Sequence, residues 1–501
     1  MPRRVIAGVA VAVACLAGSH GLTTAAEPRW TEMRSPNFLV VSNASDGSTR
    51  TLAWQMEQIR STIASVWPWT RVELSTPVVV LVVKDEASMK AIAPAYWERK
   101  GGVRPVSVSI TGPDRHYIAI RADVRNEDTE TINPHSAAYF SYAATIITAS
   151  FDARLPVWFL RGFAGVLSNT IVRNSDVLIG APIPWHIQTL REGRRLPLAQ
   201  VIAVTRNSPE YTQSDQLTTL DAQAWAFVHF LMFGENGKHR EKLDRFAASL
   251  TTIADPVVAF RETVGRPEDY EVAFNNYIAR DLFAASKTTV DMRVKRDAFT
   301  VRTLSVAEGA TVRATFYATS RRPVEAREAI AAARAADANE AESYVAEAML
   351  LERDGRRDDA RAALAKAVER GSSNAYAHFR FAVLSWGPNT DRNALPAIEK
   401  AFERATTLNE RYASAYVSLG EVRAALGNAE AAVSAAQRAI QLEPNEARHY
   451  LAAARVLLRL RSPEEARKVL QRAVTLAQSE DVRREADRLI ALADQARKPG
   501  H

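Results

Sequence analysis

From Ala307 to Gln478 the chain repeats itself every 34 residues, and this period constrains its fold more than any other feature. Leu419-Gly420, Gly427, Ala432, Ala439 and Pro444 align without a gap on Ala453-Ala454, Arg461, Ala466, Ala473 and Gln478. A unit of that length holds two helices of about a dozen residues and the turns that join them. Such a hairpin cannot bury its apolar face alone, so successive units must stack into an elongated array rather than close around one central core. The small residues fall where the two helices of a hairpin touch, which lets the helix axes approach closely.

The segment AYVSLGEVRAALGNAEAAVSAAQRAIQLEPN, from Ala415 to Asn445, resembles the tetratricopeptide repeat family almost position for position. Extending the frame gives about five repeats, at 307–340, 341–374, 375–412, 413–446 and 447–480, the third with a four-residue insertion around Gly387-Pro388-Asn389. Residues 481–501 then read as a capping helix and tail, which such arrays need to cover their last apolar face. The resemblance implies a concave surface that holds a protein or peptide partner. Arg448, Arg455 and Arg459 recur at spacings that place them on one stripe of a helix, a candidate site for a partner's carboxylate. A solvated charged face is the competing reading.

The stretch 27–289 has a different texture. It carries eight of the nine tryptophans, and short β-branched runs at 38–42, 78–83, 106–110 and 117–120 read as strands. Helical stretches at about 50–66 and 134–150 alternate with them, so the fold class is multidomain: an α+β domain followed by an all-α superhelix. Residues 290–306, without glycine or proline, read as a short connector with some β character.

Three groups of residues in this first part are similar to the exported peptidase MA-like family of gluzincin fold. They are Ser35-Pro36-Asn37-Phe38 before a strand, Leu155-Pro156-Val157-Trp158, and the later Gln223-Ala224-Trp225 helix. The family's chemistry needs His-Glu-x-x-His on one helix, two zinc ligands flanking a general base, and a further Glu as third ligand. Here the three slots on the helix hold Phe140, Ser141 and Ala144, and the Glu slot holds Arg161. The resemblance therefore implies a degenerate domain with no catalytic residue, no metal and no cofactor. Phe140 and Ala144 are expected to fill the space the metal leaves, and Arg161 to repel a divalent cation. The other histidines show no ligand spacing with Cys, Asp or Glu. The alternative is a cell-envelope hydrolase whose catalytic groups belong to no recognised motif.

Arg3 and Arg4 precede an apolar run from Val5 to Ala17, and Thr24-Ala25-Ala26 follows, which is the pattern of a signal peptide over 1–26. An exported protein, periplasmic or secreted, is expected. Val13-Ala14-Cys15 leaves open a lipoprotein reading, in which membrane attachment comes only through lipid on Cys15. The balance of 64 Lys+Arg against 57 Asp+Glu, a net +7 over 501 residues, is too dilute to indicate a nucleic-acid partner.

Overall fold

In the computed structural model, residues 29–98, 104–124, 131–151, 155–173, 176–290, 294–477 and 479–497 are described. The expected signal peptide and Cys15 lie outside them. No helix among the described residues is long and apolar enough to cross a membrane.

Strands β1 (Thr31–Arg34), β2 (Leu39–Ser42), β3 (Val78–Val83), β4 (Ser107–Thr111) and β5 (His116–Arg121) join β9 (Thr300–Thr303) in a mixed sheet of order β4-β5-β3-β2-β1-β9. A second, antiparallel sheet contains β6 (Ile171–Arg173), β7 (Asp176–Ile179) and β8 (Ser286–Thr289). The central strand β3 is an unbroken run of Val and Leu because it is buried on both faces. Val78, Val80 and Val82 face the main core, with helices Asp46–Val66, Ser136–Phe151, Val157–Ser168 and Ser214–Phe233. Val79, Leu81 and Val83 face a second apolar layer on the opposite side.

That second layer is completed from the array. Phe316, on the helix Val306–Thr319, is fully buried in it and packs edge-to-face on Tyr117 with ring centroids 5.5 Å apart. The array is thus joined to the sheet through its first helix. In the stretch expected as a short connector with β character, Thr300–Thr303 pairs antiparallel with β1 at the edge of the main sheet. All four residues of β9 are exposed, so no apolar alternation marks the strand in the sequence.

Five helical hairpins follow: Val306–Thr319 with Pro323–Ala336, Ala341–Arg353 with Arg357–Glu369, Ala375–Ser385 with Leu395–Leu408, Ala413–Leu426 with Ala429–Leu442, and Ala447–Arg459 with Pro463–Leu476. Helix Glu480–Arg497 lies over the last. Ala432, Ala439, Ala466 and Ala473 are fully buried. A Cβ at Gly420 would stand 3.0 Å from the carbonyl oxygen of Ala432, so glycine there sets how closely the fourth pair packs. The hairpin turns recur in the left-handed region, at Gly355 and Gly427 but also at Arg321 and Arg461, with φ of 60° and 59°.

Candidate functional site: a groove at the seam between sheet and array

The two segments 155–158 and 223–225 are packing elements here. Trp158 is fully buried, stacked on Phe246 at 5.3 Å and edge-on to Phe260 at 5.6 Å. Gln223 holds the backbone of Leu196 at both ends, accepting from its N–H at 2.9 Å and donating to its carbonyl at 2.8 Å. A Cβ at Gly162 would meet the Ala224 carbonyl oxygen at 2.3 Å, so this glycine permits the close crossing of helices Val157–Ser168 and Ser214–Phe233. Asn37 is pinned by the buried Glu57, which accepts from its backbone N–H at 2.9 Å and its side-chain amide at 2.7 Å.

The four positions that the resemblance aligns with a zinc motif do come together. Phe140, Ser141 and Ala144 are half-buried and line an open groove of about 520 Å³. Arg161 stays out of the lining. Its guanidinium forks onto Asp221, Nε donating to Oδ1 at 2.6 Å and Nη2 to Oδ2, and it lies 4.7 Å from the Phe140 ring centroid. Phe140 and Ala144, expected to fill the space a metal would leave, stand in the groove wall, with the Phe140 ring in cation–π contact with Arg161. The arginine's charge is also met by Asp221, a residue 60 positions along the chain that no motif pointed to.

The opposite wall of the groove is β4, which ends the sheet among the described residues. Arg121 donates its N–H to Val106 O and Gly112 donates to Arg115 O, both at 2.9 Å, which fixes the alternation of the β4–β5 ladder. By that alternation Ser107, Ser109 and Thr111 turn their backbone N–H and C=O groups away from β5. Ser109 and Thr111 are exposed and border the groove. One end is closed by the array, through Arg411, Leu442 and Glu443.

That closure is built from turn and cap residues along one edge of the array. Asn374 donates to Asp114 at 3.2 Å, Asn409 to Ser75 O at 2.8 Å and Arg71 to Leu442 O at 3.2 Å, while Arg411 pairs with Glu73. Burial pushes the Glu443 carboxyl up, but hydrogen bonds from His449 and Ser75 and the nearby charge of Arg71 outweigh it and hold the group below its ordinary value.

His135, His186 and His229 are not part of the groove lining. His229 is buried between Tyr277 Oη at 2.7 Å and Gly180 O at 2.8 Å, and burial takes its pKa down to about 4. Burial does the same to His135 and His186. Among the described residues there is no group of three or more His, Cys, Asp or Glu side chains placed to hold a metal ion.

On the array, Arg448, Arg455 and Arg459 are exposed on helix Ala447–Arg459. Arg455 is paired with Glu421 at 2.9 Å and Glu485 at 3.5 Å, and together with Arg459 and Trp386 it borders a shallow depression of about 230 Å³. Arg448 is not among the residues of that depression.

Fold and site together define a helical-repeat protein that carries a mixed-sheet domain along one edge of its solenoid. The model of the tetratricopeptide repeat family matches residues 413–446, the fourth of the five helical hairpins among the described residues. No curated protein matches the chain. Among solved structures, YrrB, described as a TPR protein with an unusual peptide-binding site, is similar at 17% identity and TM-score 0.32, over 36% of this chain and 92% of its own. MamA is similar at 23% identity and TM-score 0.29, over 34% and 92%, and yeast Tom70 at 12% identity and TM-score 0.29, over 72% and 87%.

Proposed function

We propose that the protein is an exported, non-catalytic scaffold that binds a protein or peptide partner, with the sheet domain acting as a pseudopeptidase. The observation that carries this reading is the open groove between Phe140, Ser141 and Ala144 and the edge of β4, which is unpaired among the described residues. An extended segment laid there adds a strand to the sheet through Ser107, Ser109 and Thr111, and its alternate side chains rest on Phe140 and Ala144. The tetratricopeptide array supplies one end of the groove and, through Arg455 and Arg459, a second surface for the same partner. The alternative, a hydrolase, is tested in the same experiment. The full chain is titrated with a library of extended peptides, and their integrity is followed with and without chelator. Saturable binding without cleavage, weakened when Ala144→Trp blocks the groove, is expected. Chelator-sensitive cleavage, or binding indifferent to Ala144→Trp, overturns the reading.

A further inference from the structure

A second cavity, of about 510 Å³, lies on the other side of the seam, between the outer face of the main sheet and the first three hairpins. Its floor is apolar, with Leu39, Val41 and Val79, and Tyr117, Tyr376 and Tyr412 stand in its walls. Glu32 and Glu308 at its border are matched by Arg34 and Arg302. The carboxylates at the opposite end are less well matched. The Asp114 side chain is wholly buried; Oδ2 takes bonds from Arg115 Nε at 2.5 Å and Asn374 at 3.2 Å, but Oδ1 has no partner. Glu342 Oε1 accepts from Ser372 Oγ at 2.8 Å and the Ser373 N–H at 3.0 Å, and its Oε2, also buried, has none. Ser372 in turn accepts from the Asn374 N–H at 3.2 Å, so one polar chain links the two carboxylates. Glu340 beside them is pushed above its ordinary value, first by burial and then by the charges of Glu342, Glu308 and Asp337.

We propose that this cavity binds an organic cation, the ammonium or guanidinium head of a lysine or arginine side chain, between the Asp114 and Glu342 carboxylates and the three tyrosine rings. A buried carboxylate oxygen without a donor is costly, and an entering N–H supplies the missing bond together with a second positive charge beside that of Arg115, which the two carboxylates share. The rings take the cation by their faces and cover its methylene stem. The volume suits one long side chain with a few neighbouring atoms. A metal ion is the poorer match, since no three donor side chains converge there among the described residues.

The assignment of the cation to a partner's side chain rests on the peptide-binding reading; the cation site itself does not. The test titrates the full chain with the pentapeptide Ac-Ala-Ala-Lys-Ala-Ala-NH2, its norleucine counterpart, and spermidine. The lysine peptide is expected to bind at least about tenfold more tightly than the norleucine one. That preference should collapse in Asp114→Asn and in Glu342→Gln, shrink as salt rises, and survive Ala144→Trp in the other groove. Spermidine binding that is lost in the two carboxylate variants, with no peptide binding, supports the cavity and assigns it to free amines, against the peptide reading. Equal affinity for the lysine and norleucine peptides with no spermidine binding, or a preference untouched in both carboxylate variants, overturns the proposal. Circular dichroism identifies a variant that fails to fold, in which case the other variant and the salt dependence decide.

Discussion

Removing the ring of Phe316 tests whether the array and the sheet domain form one unit. Phe316 belongs to the first repeat by sequence, yet its ring is fully buried among Val79, Leu81 and Tyr117 of the sheet. Truncating a buried Phe to Ala costs about 3–5 kcal/mol, of which the edge-to-face pair with Tyr117 accounts for roughly 0.5–1.5 kcal/mol. For a unit of this size each kcal/mol lowers the unfolding midpoint by about 2–4 °C, so Phe316→Ala should bring the sheet domain's transition down by roughly 6–20 °C. Val324→Ala on the second helix of the same hairpin is the control, because Val324 is 60% exposed and its loss should stay within about 0.5 kcal/mol. Differential scanning calorimetry of the full chain, with limited proteolysis of the sheet domain, reads the effect. If Phe316→Ala behaves like the control, or lowers only an array transition while the sheet domain melts as before, the shared core is refuted.

Arg461→Gly should stabilise the array by about 0.5–1 kcal/mol, since Arg461 occupies the left-handed turn position that Gly427 fills in the preceding repeat; a loss of stability in urea unfolding would contradict this. His135, His186 and His229 have folded-state pKa values pushed down to about 4, so they are neutral in the fold while the unfolded chain takes up protons near pH 6.5. Their contribution is present above about pH 6.5 and is lost as pH falls toward 4. Between pH 7 and 5 each should cost roughly 1–2 kcal/mol, and a denaturation midpoint that is flat over that range would contradict the burial argument. If the pseudopeptidase reading is right, the combined substitution Phe140→His, Ser141→Glu, Ala144→His and Arg161→Glu restores a ligand set. Elemental analysis should then find zinc in a one-to-one ratio, and its absence from a folded variant would count against the resemblance.

The helical array was legible because its signal is local and repeated: Gly420, Ala432 and Ala439 stand at fixed spacings, and each is small for a contact inside the same hairpin. In the first repeat Phe316 is buried in the sheet's outer layer, and Tyr317 packs on both that layer and the array core while donating to the Ala91 carbonyl, contacts that no repeat spacing announces. Strands β2, β3 and β5 were visible as β-branched runs, whereas β9 is wholly exposed and left no apolar mark. At the groove, Phe140, Ser141 and Ala144 were singled out through a resemblance, but Asp221 was not, because an ion pair across 60 residues has no spacing signature. The walls that the array contributes were equally hidden. Asn374, Asn409 and Arg411 lie at helix ends and turns of the array, and their contacts depend on how the array edge meets the sheet.

Amide hydrogen exchange along Ser107–Thr111, measured with and without a saturating bound peptide, addresses most directly whether the groove holds an extended partner. Slowed exchange at Ser107, Ser109 and Thr111, with Val108 and Ile110 already protected by the ladder to β5 and the peptide recovered intact, is the predicted result. Unchanged exchange at those three amides while the peptide is bound, or recovery of cleaved peptide, would contradict it.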